Sequence, residues 1–99
     1  MGGGVYKPGG PVTAPRLLLE VKPNFTADAL QHHIVGSVLL EAVITRDGLP
    51  SSLRVLRSLD RGLDAEAIIA VRQWRFAPGR LAGVPVDVVV TVLVDFDIR

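Results

Sequence analysis

Ninety-nine residues, 48% hydrophobic and 21% charged, describe one globular domain with a modest core, neither a disordered chain nor a two-domain protein. A net charge of +1 excludes the basic field of a nucleic-acid binder, and the lack of cysteine excludes disulfide and thiolate chemistry. The longest apolar runs, such as "VVVTVLV" at 88–94, are too short to cross a bilayer as a helix.

No signal-peptide pattern opens the chain. "MGGG" reads as an initiator and flexible leader, as in a piece of a longer protein, and Tyr6 stands where a myristoylation signal wants Ser or Thr. Residues 1–15 are rich in Gly and Pro and read as a linker or an irregular arm, with the folded domain at 16–99. "RLLLEV" (16–21) is an edge strand ended by Lys22-Pro23, since proline has no amide hydrogen to give. Thr26 then caps a short helix, "ADALQHH", whose first turn carries Asp28 against the helix dipole.

From 35 to 45 the chain alternates. Val38, Leu40, Ala42 and Ile44 share one face of a strand, while Ser37, Glu41 and Thr45 share the other with Leu39 and Val43. Asp47-Gly48 signals a hairpin turn, both residues tolerating positive φ, and "SSLRVLRS" (51–58) is the return strand. Asp64 reads as the N-cap of a second helix, with Leu63 and Ile68 as its hydrophobic staple. Ala67, Ile68, Val71 and Trp74 recur at three- and four-residue spacing on its buried stripe, and Pro78-Gly79 forbids further helix. In "RQWRFAPG" (72–79), Trp74 and Phe76 therefore read as the joint packing helix onto sheet.

The last segment, 84–98, has the strongest periodicity. Val86, Val88, Val90, Val92, Val94, Phe96 and Ile98 recur at period two, opposite Asp87, Val89, Thr91, Leu93, Asp95 and Asp97. It predicts a strand of about a dozen residues, about twice the usual length. The element order is strand, helix, strand, strand, helix, long strand. That order predicts an α+β two-layer sandwich, an antiparallel three- to four-stranded sheet with two helices on one face.

Candidate chemistry is sparse. His32-His33 lacks a third ligand, and neighbours on a helix point about 100° apart, so the pair reads as histidines at a helix C-terminus. No G-x-S-x-G elbow surrounds Ser37, Ser51, Ser52 or Ser58. Among Asp60, Asp64 and Glu66, Asp64 reads as the cap and the others as solvated turn residues. The glycines of the leader follow no strand and precede no lysine–serine pair, so they form no phosphate loop. Arg72 and Arg75 flank Trp74 and Phe76 as surface cations rather than as a base-stacking platform. The sequence thus predicts no enzyme, no cofactor, no metal and no nucleic-acid partner. What remains is the terminal strand. The pattern fits either a central, fully paired strand or one that overruns its neighbours, and the latter leaves N–H and C=O groups open to strand addition by another chain, with Asp87, Asp95 and Asp97 as guards against aggregation.

Taken in order, "DG" at 47–48, "LDAEAIIAV" at 63–71, "WRFAPG" at 74–79 and "GVPV" at 83–86 resemble the C-terminal domain of TonB, the energy transducer of Gram-negative envelopes. The resemblance extends over residues 14–98, and "VKPNFTADALQ" is similar to the proline–aromatic entry of that family. Here Phe25-Thr26 stands where the family has an aromatic–proline pair. The resemblance implies a two-layer α+β domain that binds the TonB box, an extended segment at the plug of an outer-membrane transporter. It implies that the box pairs with the last strand over Val86, Asp87, Val88, Val89, Val90, Thr91, Val92, Leu93 and Val94. Pro23, Asn24 and Phe25 are then expected near the contact, and Ile68, Val71, Trp74 and Phe76 in the core. A periplasmic location, an inner-membrane anchor and force from an ion-channel complex would come through regions outside this chain. A homodimer through the last strand is a further expectation. The alternative is a TonB-like interaction module of another envelope protein, fused to a peptidase or sensor or binding a cell-wall polymer.

Overall fold

The alternating stretch Gly36–Ile44 forms the central strand, β2, in the computed structural model, which describes residues 4–97. Ahead of it lie β1 (Arg16–Leu19) and α1 (Ala27–Gln31). After it come β3 (Pro50–Arg57), α2 (Arg61–Arg72), β4 (Arg75–Ala77), β5 (Arg80–Leu81), β6 (Val84–Pro85) and β7 (Val88–Phe96). The main sheet has the order β3-β2-β7 and is antiparallel throughout. Two short pairs, β1-β4 and β5-β6, stand beside it. The fold is the α+β arrangement of two helices and antiparallel sheet that the sequence predicts.

Period two fixes which face of β2 is wet. Val38, Leu40, Ala42 and Ile44 are fully buried, and a one-residue slip would expose all of them. They meet Leu63, Ala67 and Val71 of α2, Ala29 of α1, and Val94 and Phe96 of β7 in one core. Burying each large aliphatic side chain contributes about 1.5–3 kcal/mol. Thr26 caps α1 as expected, its hydroxyl accepting the Ala29 N–H at 3.0 Å.

The start of α2 corrects the sequence reading. Its N-cap is Asp60, whose side chain accepts the Leu63 N–H at 3.1 Å, so Asp64 lies in the first turn. Asp64 turns back instead, accepting the Leu59 N–H at 3.0 Å and the Ser58 hydroxyl. Leu63 is fully buried, not a staple outside the helix. Two aspartates four residues apart both suit a cap, and burial of Leu63 selects the earlier one. The helix also ends at Arg72, capped by Gln73, well before Pro78. Trp74 follows the cap, its N–H bonding to the Val71 carbonyl at 3.0 Å.

The β2–β3 loop is wider than a two-residue turn, because pairing resumes at Ile44 and Pro50. Only Gly48 takes positive φ there, at 81°. A Cβ at Gly48 would collide with the Phe76 carbonyl oxygen, and the Gly48 carbonyl accepts the Phe76 N–H at 3.0 Å. The turn is thereby tied to β4.

The predicted long strand divides. Val84–Pro85 pairs with Arg80–Leu81 across a turn at Ala82 and Gly83, both with positive φ. β7 begins only at Val88, because Val86 donates to the Gly79 carbonyl at 3.0 Å and the Asp87 carboxylate accepts the Arg46 N–H at 2.8 Å. The expected continuation to Ile98 lies outside the described residues. β7 does not overrun its neighbour: Val88–Phe96 faces Ile44–Gly36 residue for residue. Its open side exists because β7 is the outer strand of the sheet, not because it is longer.

Candidate functional site

Hydrogen-bond parity divides β7 into two sets. The Asp87 carbonyl and the Val89 N–H both point away from β2, since each bonds to Tyr6 of the N-terminal arm, at 2.9 and 2.8 Å. Backbone direction alternates along a strand, so Val88, Val90, Val92, Val94 and Phe96 bond to β2 while Thr91, Leu93 and Asp95 face outward. Among the described residues, no backbone group takes the outward N–H of Thr91, Leu93 or Asp95. Side chains follow the same parity. Val88, Val94 and Phe96 are buried, whereas Thr91, Leu93 and Asp95 are exposed.

The far end of this edge opens on a shallow cavity of about 480 Å³. Pro23, Phe25 and Trp74 line it together with Leu93, Asp95 and Phe96, and Glu20, Lys22 and Asp97 complete its polar rim. Phe25 stacks edge-on against Phe96, with centroids 5.4 Å apart and planes at 77°. Trp74 is 6% exposed and donates its Nε1–H to the Val21 carbonyl at 2.8 Å. That bond fastens the 21–25 segment beside β7. The Ser37 hydroxyl donates to the Asp95 carboxylate at 2.6 Å, holding that side chain on the sheet.

The site residues expected from sequence fall into three groups. Thr91 and Leu93 face outward along the open edge, with Pro23 and Phe25 in the cavity at its end. Val88, Val90, Val92 and Val94 turn their backbone groups to β2. Val86, Asp87 and Val89 are already bonded, to Gly79 and Tyr6. Asn24 is exposed and does not line the cavity. Val71, Trp74 and Phe76 are core residues, with Ile68 packed against them. Sequence reasoning missed Tyr6, Glu20 and Lys22 at this edge, and read Asp95 and Asp97 only as guards against aggregation. The signal for the first was "VYKP", a β-prone pair and a proline within an otherwise glycine-rich arm.

Elsewhere the histidine pair makes local contacts: His32 caps α1, its Nδ1 lying 2.9 Å from the Asp28 carbonyl oxygen, and His33 has φ 54°. No group of three His, Cys, Asp or Glu among the described residues is placed to hold a metal ion, and no described helix is long and apolar enough to cross a membrane. Arg72 and Arg75 are exposed, and the Arg75 guanidinium donates to the carbonyls of Arg72 and Trp74.

Fold and edge together define a small two-layer α+β domain whose outer strand and adjoining cavity are open. Residues 21–98 match the family described as Gram-negative bacterial TonB protein C-terminal, and the chain belongs to that family. It is 34% identical over 78 residues to Protein tonB2 of Pseudomonas aeruginosa, covering 78% of this chain and 29% of the relative. It is also 34% identical over 68 residues to Protein TonB of Vibrio cholerae serotype O1, covering 68% of this chain and 28% of the relative. The solution NMR structure of the Pseudomonas aeruginosa TonB CTD superposes with a TM-score of 0.62 at 26% identity, over 92% of both chains. The chain therefore corresponds to less than a third of the length of the first two relatives.

Proposed function

We propose that this domain binds the TonB box of outer-membrane transporters by adding it as a strand to the outer edge of β7. The observation that carries the reading is the row of outward backbone groups at Thr91, Leu93 and Asp95, open in the free domain and ending at the Pro23–Phe25 cavity. Main-chain pairing supplies affinity in such an addition, and flanking pockets supply specificity. In this reading the domain is a grip and not a catalyst. It works in the periplasm, and force from an inner-membrane ion-channel complex arrives through an anchored segment outside this chain. The nutrient transport follows from the pull on the plug.

The test is a heteronuclear NMR titration of the labelled domain with a synthetic box peptide from a transporter of the same genome. Strand addition shifts residues 91–97 and 22–25 and protects the Thr91, Leu93 and Asp95 amides from exchange. Shifts confined to β3 or to the α2 surface would move the binding face and refute the proposal. No shift at millimolar peptide would favour an interaction module serving another envelope partner.

A further inference from the structure

The N-terminal arm is built onto the domain rather than trailing from it. Val12 is 8% exposed, the Thr13 N–H donates to the Arg80 carbonyl at 2.9 Å, and the Arg80 N–H donates to the Thr13 hydroxyl at 3.0 Å. Gly79 lets this segment in, for a Cβ there would stand 2.5 Å from the Thr13 carbonyl oxygen. Gly9 and Val12 exchange backbone hydrogen bonds of 2.9 and 3.0 Å, closing a turn that carries the chain back toward β7. Tyr6 then pairs in parallel with Val88. It takes the Asp87 carbonyl and the Val89 N–H, which are the first outward groups of the edge.

We infer that Val5–Pro8 is a cap in cis on the strand-accepting edge, occupying its first rung and competing there with an incoming strand; this rests on the strand-addition reading above. In a parallel ladder the next donor from the arm toward the Val89 carbonyl would be the amide of residue 8. That residue is Pro8, which has no N–H, so the ladder stops after one rung. The arm leaves β7 at that point, and a groove of about 510 Å³ opens between Lys7, Pro8, Glu41 and Val89–Thr91. The sequence of the arm thus sets both the closure of the edge at Asp87–Val89 and its opening at Thr91. A partner strand pairs freely with Thr91, Leu93 and Asp95 and gains the Val89 rung only by displacing Tyr6.

The experiment compares the unaltered chain with Tyr6→Pro, which loses the N–H to Asp87 and sets its ring Cδ against that carbonyl, so that residue 6 and the carbonyl that accepts from Val89 are pushed off β7, and with Tyr6→Ala, which keeps the backbone. Amide exchange reads the cap without any ligand. The Val89 amide is expected to exchange at least tenfold faster in Tyr6→Pro and to stay protected in Tyr6→Ala. Titration with the synthetic box peptide reads the competition. Tyr6→Pro is expected to bind three- to tenfold more tightly, equivalent to roughly 0.7–1.4 kcal/mol, with shifts extending from Thr91 to Val89. Unchanged Val89 exchange in Tyr6→Pro would overturn the cap. Faster exchange with unchanged affinity would overturn the competition while leaving strand addition intact. If no variant bound the peptide, strand addition and competition would fail together, and Val89 exchange would still decide whether the arm pairs with β7.

Discussion

Proline placed at adjacent positions of β7 separates the fold from its edge. Leu93 directs its N–H outward and its side chain is 51% exposed, so Leu93→Pro removes a donor that the free domain does not use. Edge positions of this kind tolerate proline, and the expected cost in stability is under about 1.5 kcal/mol. Val92 directs its N–H to β2 opposite Leu40, so Val92→Pro removes a ladder bond in the middle of the sheet. That change costs about 3 kcal/mol or more, which for a domain of this size lowers the melting temperature by roughly 12 °C or more. Binding should show the reverse emphasis. An incoming strand that meets a proline ring in place of the Leu93 amide leaves one of its own carbonyls without a donor, a loss of about 1–3 kcal/mol. At one decade per 1.4 kcal/mol the box peptide would bind roughly 5- to 150-fold more weakly. Thermal denaturation by circular dichroism and the peptide titration measure the two effects on the same samples. The reasoning is refuted if Leu93→Pro melts as low as Val92→Pro, since Leu93 would then be paired in the free domain. It is refuted equally if Leu93→Pro melts normally and binds the peptide with unchanged affinity.

Trp74→Ala removes the side chain that joins α2, β4 and the Val21 carbonyl, and is expected to cost about 3–5 kcal/mol by chemical denaturation. If that variant kept its melting behaviour and lost only peptide binding, the tryptophan would be a contact residue and not scaffold. Gly48→Ala meets both a φ of 81° and the Phe76 carbonyl, so a loss of about 2 kcal/mol or more is expected, with a melt close to wild type as the contrary result. Asp60→Ala should lose about 1 kcal/mol as the cap of α2 and raise the exchange rate of the Leu63 amide. Asp64→Ala should instead free the Leu59 amide, and exchange measured at both positions distinguishes the two aspartates.

Much of this was legible because local rules agreed with each other. The alternation of β2 placed Val38, Leu40, Ala42 and Ile44 inside, and they are the centre of the core. Thr26 capped its helix as read, and the "WRFAPG" segment joined helix to sheet with Trp74 buried. The order of motifs also placed the chain in its family, as the match over residues 21–98 shows. Less was legible where two local solutions were equally good. Asp60 and Asp64 both satisfy the chemistry of an N-cap, and only packing of Leu63 distinguishes them. Period two continues through Val84 and Val86, yet the Ala82-Gly83 turn pulls that stretch into a separate hairpin.

Side-chain pattern by itself determined the layers and the buried faces, because burial repeats with the period of each element. The direction of each backbone N–H has no side-chain signature until the pairing partner is known. Only the tertiary structure therefore decided that β7 turns Val88, Val90 and Val92 to β2 and leaves Thr91, Leu93 and Asp95 outward. It alone brought Tyr6 to Val88 from the far end of the chain, since a single parallel rung between remote segments leaves no periodic trace in either of them.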